Sequence, residues 1–320
     1  MNDMHDKTEQ GDSQPIELIA GTSLWRDAWR RLLKNKLAVF GMIVVIGLTL
    51  ASVLGPGVIQ RATGYAYDVI PKDTRLNKSF PPFRSPEGGF SWTHPMGTDN
   101  AGRDILARVL SGGQISLMVA LISTLVSLVI GVSYGAIAGY VGGGIDDLMM
   151  RVVDVLYSLP YVIIVIVLLA LLPAKTPTGQ LAELFVALGA VSWLTMARIV
   201  RGQVMSLKNQ DFVLAARATG VSTPKIIVRH LVPNALGPVI VYATLTVPTV
   251  MLSEAFLSFL GLGVRPPRVS WGSLAADGAQ TLAIFPWQLI FPGVTMALML
   301  LSLNFLGDGL RDALDPQMRK

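Results

Sequence analysis

The sequence predicts an all-α polytopic membrane protein with six transmembrane helices. Three observations carry that prediction. Hydrophobic residues fill 52% of the 320 positions and charged residues only 15%, against about 45–50% and about 25% in soluble domains. The mean hydropathy of +0.54 is too high for a soluble chain of this length to keep its surface wet. The apolar residues are also gathered into runs close to the ~20 residues that a hydrocarbon core demands of one helix. A soluble enzyme, a disordered regulator and a fibrous protein are disfavoured together. Cysteine is absent, which removes disulfides, cysteine-ligated zinc, iron–sulfur clusters and thiol catalysis.

Residues 1–36 read as a cytoplasmic tail, polar as far as about Gly21. Near its end Leu24, Trp25, Ala28, Trp29, Leu32 and Leu33 share one helical face, and Arg26, Asp27, Arg30, Arg31 and Lys34 take the other. That division predicts an interfacial helix over 23–34, with a plain charged flank as the alternative. No secretory signal peptide is visible. The first apolar run starts late and is too long for an h-region, and it reads as a signal anchor. It supplies a first transmembrane helix over 37–58.

Residues 59–113 are rich in Pro and Gly and carry Tyr65, Tyr67, Phe80, Phe83, Phe90 and Trp92. They are expected to form an extracytoplasmic loop able to fold as a small cap. A core domain follows over 114–309, with helices at about 114–140, 155–174, 181–200, 236–262 and 287–307 and a cytoplasmic loop over 201–235. Residues 310–320 form a second cytoplasmic tail. The weakest span is 181–200, which carries Glu183 and Arg198.

Charge decides whether that span crosses. Arg26, Arg30, Arg31, Lys34 and Lys36 precede the first span, and Arg198, Arg201, Lys208, Arg217, Lys225 and Arg229 cluster later with Asp211 as the only acid. Only a six-span topology puts both clusters on the cytoplasmic side, as the positive-inside tendency asks. Both termini are then cytoplasmic. The second cluster alone has six basic residues against one acidic, equal to the net charge of +5 of the whole chain. The basic balance therefore marks a cytoplasmic loop and not a nucleic-acid partner.

A search for chemistry returns little. The chain contains no G-x-x-x-x-G-K-[ST] loop, no H-E-x-x-H pattern and no G-x-S-x-G elbow. His5, His94 and His230 lie apart in sequence, so a metal site is not expected. Asp154 and Asp308 read as ends of spans, without the Gly-x-Gly-Asp signature of an intramembrane protease. Glu254 is expected about 27 Å along its helix, near the outer face. There it could line a translocation path or cap a helix break before Gly261 and Gly263. Pro248 and Pro292 can kink their spans, and Pro248 joins Glu254 as a candidate for the path or outer gate. The chain is expected to catalyse no reaction and to bind no cofactor.

The cytoplasmic loop is the informative segment. Ala215, Ala216 and Ala218 make a small-residue helix that a partner can approach closely. Gly220 offers a positive-φ stop, and Ser222-Thr223-Pro224 starts a second helix that Pro233 is expected to end. Helix, sharp turn and helix make a rigid knob, or else an ordinary amphipathic connector.

These residues resemble a family. Ala215-Ala216, three residues, Gly220, and Pro233 thirteen later match the loop signature of bacterial ABC-importer permeases, Glu-Ala-Ala, three residues, Gly, nine residues, Ile-x-Leu-Pro. Leu214 replaces the Glu, His230 the Ile and Val232 the Leu. Residues 94–104, 258–263, 271–272 and 306–316 resemble the dipeptide/oligopeptide/nickel group. Residues 23–28, 191–202 and 220–223 are most similar to the C-type permease of oligopeptide importers.

The resemblance implies a type I ABC-importer permease fold in the bacterial inner membrane. It implies a second, homologous permease as heterodimer partner, two ABC ATPase subunits and an extracytoplasmic peptide-binding protein, with ATP and Mg used by the ATPases alone. ATPase coupling then falls to Phe212, Leu214, Ala215, Ala216, Arg217, Gly220 and Pro233. The implied cargo is oligopeptides or dipeptides, with nickel and glutathione as alternatives within the class. An ion-coupled secondary transporter is the reading outside it, and it would need midplane ionisable residues or inverted repeats.

Overall fold

The computed structural model of the chain describes residues 24–71, 78–84, 89–171, 174 and 176–314. Residues 1–23 and 315–320, with most of the two predicted tails and the start of the predicted interfacial helix, lie outside the described residues. Among the described residues the regular structure is helical, with only isolated β-bridges at Arg84–Phe90 and Thr98–Asp104. The helices are α1 (Leu24–Lys34), α2 (Lys36–Thr63), α3 (Ile105–Val141), α4 (Gly143–Ser158), α5 (Tyr161–Leu171) and α6 (Pro177–Leu207). They continue with α7 (Asp211–Ala218), α8 (Thr223–Ile226), a π-helical turn (Ile227–Leu231), α9 (Val232–Phe259), α10 (Trp271–Gln280) and α11 (Trp287–Leu314).

Helices α2, α3, α6, α11 and the continuous Thr223–Phe259 rod are each long and apolar enough to cross a membrane. The pair α4–α5 passes only together, bent by 92°. The predicted helix over 155–174 is thus a broken element. Pro160 lacks a backbone donor and restricts the residue before it, and Leu159 caps α4 with extended backbone at φ −84°, ψ 140°.

Packing is centred on α3 and α6, the most extensive helix pair. Gly131, Gly135 and Gly139 recur every fourth residue on α3, and an added Cβ would meet Met196, the Ala197 carbonyl and the Arg201 carbonyl of α6. Small residues at this spacing let two helix backbones approach closely where lipid supplies no hydrophobic drive between them. The outer members α2 and α11 pack on each other and stay largely exposed along their apolar lengths. On α1 the predicted apolar face divides. Ala28 and Leu32 bury against Ala38 and Ala313, while Trp29 and Leu33 stay exposed.

Two predicted boundaries move. The loop expected over 59–113 is shorter, because α2 runs on to Thr63 and α3 already begins at Ile105. Arg108 and the Gly112-Gly113 pair look like loop in sequence. In the structure Asp99 neutralises Arg108, and Gly113 gives room to Trp271 and Ser52, which an added Cβ would strike. The fifth span begins before 236, because Pro233 does not end the second loop helix. A proline ring clashes with the carbonyl four residues back. Here the chain widens into the π turn, where the Val232 N–H reaches the Ile227 carbonyl, and the helix carries on.

Candidate functional site

The predicted coupling residues assemble into one projection. α6 ends at Leu207, and Lys208 Nζ donates to the Gly139 carbonyl at 2.8 Å, tying that end to α3. The chain turns at Gln210 and enters α7, whose ends carry Asp211 and Arg217, each opposite in sign to the helix dipole there. Val213 and Ala216, one turn apart, face inward. They join a core cluster with Met196, Val200 and Val204 of α6, Ala136 of α3 and Ile226 and Leu231 beyond the turn. Phe212 packs at its edge.

The opposite face of α7 is exposed. Leu214 is 48% accessible, and Ala215 and Ala218 lie open beside it. This is a shallow surface of small side chains with one large apolar group.

α7 stops in a Schellman arrangement. The Val221 N–H reaches the Ala216 carbonyl at 3.1 Å and the Gly220 N–H the Arg217 carbonyl at 2.9 Å. Gly220 supplies the required φ of +77°. Arg217 returns toward α3, its Nε donating to the Tyr140 hydroxyl at 3.2 Å and its guanidinium 4.9 Å from that ring. α8 then leads through the π turn into α9 without a break. The knob is thereby fixed to α6 by a short turn, to α9 by helical continuity and to α3 by packing. Pro233 sits at the root of α9, where Asn234 Nδ2 donates to the His230 carbonyl at 2.6 Å.

Part of the basic cluster is already paired within the chain. Arg201 grips Asp146 of α4 with two hydrogen bonds of 2.6 Å. Arg198 pairs with Asp154 at 2.6 Å and lies over the Tyr157 ring at 4.3 Å. The arginines of this cluster thus hold α4 against α6.

The two candidates for a path or gate, Glu254 and Pro248, are both buried on α9. Glu254 is 1% accessible, and its Oε1 accepts from Ser258 Oγ and Ser270 Oγ, both at 2.7 Å. It ties α9 to the head of α10. Glu254 thus faces the protein interior, bonded to Ser258 near the end of α9 and to Ser270 at the start of α10.

Two structural features of segments already singled out by resemblance have no reading from the residues alone. One is α10, opened by a capping box between Ser270 and Ser273, with Trp271 buried so that its Nε1 donates to the Val109 carbonyl at 2.7 Å. A Ser-x-x-Ser before an amphipathic decamer was the available signal. The other is the polar knot of the outer segment. Asp99 accepts from Arg103 at 2.7 Å and also from Arg108, and His94 Nδ1 meets Asp104 at 2.8 Å. Trp287 Nε1 donates to the Thr98 carbonyl at 3.2 Å, pinning that segment to α11.

Comparison with known proteins bears on the same regions. Residues 131–320 match the family model described as the binding-protein-dependent transport system inner membrane component. Residues 23–82 match that of the N-terminal TM domain of oligopeptide transport permease C. The oligopeptide transport system permease protein OppC of Escherichia coli K12 is 45% identical over 98% of this chain and 97% of its own length. The dipeptide transport system permease protein DppC of Bacillus subtilis is 42% identical over 98% and 92%. A solved structure of the MetNI methionine ABC transporter in inward-facing conformations aligns with a TM-score of 0.51 at 19% identity, covering 65% of this chain and 96% of its own. The aligned fold is a type I ABC-importer permease fold. This chain belongs to the binding-protein-dependent transport system inner membrane component family, the multi-pass permease subunits of ABC importers.

Proposed function

We propose that this chain is one of two permease subunits of an ATP-driven importer that takes up oligopeptides or dipeptides across the inner membrane by alternating access. The observation that carries the reading is the α7–Gly220–α8 knob, braced on three spanning helices and presenting an open face of small residues. The relatives named for oligopeptide and dipeptide transport support the cargo class. A second, homologous permease completes the pore, and an extracytoplasmic peptide-binding protein delivers cargo to it. Two ATPase subunits dock on the coupling helices, one per permease, with both termini of this chain on the same cytoplasmic side.

In this mechanism ATP and Mg act on the ATPase subunits, and the present chain transmits movement. Closure of the ATPase pair pulls on Leu214 and Ala215, and Val213 and Ala216 pass the displacement to α3 and α6. The π turn passes it to α9, because a π turn is a common site of helix adjustment. Phe212, Arg217, Gly220 and Pro233 hold the shape that makes this transmission rigid. Non-catalytic status of this chain follows from the same division of labour.

The test is affinity purification of the tagged chain from detergent, with mass spectrometry of what accompanies it. Two ATPases and a second permease are expected, and the reconstituted assembly should take up peptide in an ATP-dependent way. A stable homo-oligomer with neither partner would sink the reading.

A further inference from the structure

Between α4, α5, α6 and α9 the bundle holds a cavity of about 520 Å³. Its polar wall is unusual in kind. Tyr157, Tyr161, Thr195, Thr246, Thr249 and Ser253 all contribute hydroxyls, and no Asp, Glu, Lys, Arg or His lines it. The nearby Arg198, stacked on Tyr157, is already neutralised by Asp154.

The hydroxyls are set in a particular way. Thr246, Thr249 and Ser253 each donate back to a carbonyl of α9, at 2.8, 3.1 and 2.9 Å. A hydroxyl that donates backward keeps its acceptor lone pairs, and it can rotate to donate outward instead. The Tyr161 hydroxyl is enclosed beside the Ser192 and Ser253 hydroxyls, with no hydrogen bond of ordinary geometry to either. The cavity also meets the α4–α5 break through Tyr157, Leu159 and Tyr161. Non-helical backbone at membrane depth is tolerated where it is buried in protein or lines a watery cavity. Tyr157 and Leu159 are each 50% accessible and line the cavity.

We infer that this hydroxyl wall is the stretch of the translocation path that holds the cargo's peptide backbone in extended form. The inference deepens the reading of the chain as a peptide-importer permease and rests on it. From Thr246 to Ser253 is seven positions, about 10.5 Å along the axis at ~1.5 Å per residue. Extended peptide advances ~3.3 Å per residue, so three residues of cargo match the stripe. Backbone amides present a donor and an acceptor at every residue whatever the side chains, and rotatable hydroxyls answer both. An uncharged wall neither traps nor repels acidic or basic side chains. The same wall is a poor host for a bare metal ion, since nickel favours imidazole and other nitrogen ligands.

The test uses the complete importer in proteoliposomes. Thr246→Val, Thr249→Val and Ser253→Ala together remove three hydroxyls at nearly constant volume. Uptake of a labelled tripeptide is expected to fall about ten-fold relative to the parent, the equivalent of ~1.4 kcal/mol, with co-purification of the partner subunits retained. For the same tripeptide methylated on its backbone nitrogens the variant-to-parent ratio should rise part of the way toward one, because the cargo's N–H donors are gone while its carbonyls still accept from hydroxyls. A purely structural role would lower both ratios equally, and equal ratios overturn the inference. Should the triple variant fail to assemble, Thr249→Cys answers instead, since the chain has no other cysteine. Tripeptide present during ATP turnover should shield that thiol from a polar maleimide, and no shielding overturns the inference. Parent vesicles that take up no peptide at all would refute the importer reading itself, a result separate from either outcome.

Discussion

The two ends of the bundle are fastened by different physics. At the α7–α8 end the knob itself rests on apolar packing, with Val213, Ala216, Ile226 and Leu231 in one cluster and a helix that runs unbroken into α9, and the Arg201–Asp146 and Arg198–Asp154 pairs nearby join α4 to α6 and not to the knob. At the outer end it relies on directional polar bonds. Asp99, Arg103 and Arg108 form a buried ion cluster, and Gln288 of α11 donates to the Asn100 side chain at 3.1 Å. Packing tolerates small sliding of one helix over another, whereas a buried ion cluster has one good geometry. The difference fits a part that is pushed at one end and must stay in register at the other.

The sharpest way to break that contrast is to unpair the outer cluster. Arg108→Met leaves Asp99 with Arg103 alone, and since breaking a buried pair outright costs about 3–5 kcal/mol, the retained partner keeps the loss below that range. Thermal unfolding in detergent should show a clear loss. The double variant Asp99→Asn/Arg108→Met should recover much of it, because the charges it leaves unpaired, Arg103 and Asp277, both reach solvent. Equal stability of the single variant and the parent would contradict the outer end's being a lock.

At the knob the expected effects are smaller and act on coupling. Ala216→Leu overpacks a closed cluster, at about 1–3 kcal/mol, and should lower peptide uptake much more than it lowers membrane insertion. Gly220→Val forces a β-branched residue into left-handed backbone, at about 1–2 kcal/mol, and should reorient α8 against α7. For both, uptake and ATPase activity of the reconstituted assembly are the readouts. Uptake that falls while ATPase activity persists identifies uncoupling. Uptake unchanged in both variants would remove the knob from the transmission path.

The contrast was only half legible in sequence. The knob reads easily, because Ala spacing, Gly220 and the Ser-Thr-Pro start are local signals within a few residues of each other. Even there Pro233 misleads, since a π turn is set by accommodation of the ring and not by any residue preference. The outer lock is illegible for the opposite reason. Thr98 and Trp287, or Ser116 and the head of α10, meet across more than 150 residues of chain. The break at Pro160 is visible as a proline but not as a 92° bend. Glu254 draws notice as a charge in an apolar run, yet its environment comes from Ser270 on a helix that sequence does not announce.

The smallest structural perturbation makes the most selective test of the comparison. Leu214 is the one large apolar side chain on the open face of α7, and it stands where the family's loop signature has Glu. Leu214→Glu buries nothing and cuts no internal contact of the cluster, so stability should stay within about 0.5 kcal/mol of the parent. If the docking surface is read by a partner through that apolar group, co-purified ATPase should fall several-fold in the variant. If the partner is instead built for the common acidic signature, the variant should bind at least as well. An unchanged melting temperature with altered ATPase recovery locates the function of this face in the interface. A lowered melting temperature would instead assign Leu214 to the fold, and the sharp division between a packed lever and a bonded lock would blur at that residue.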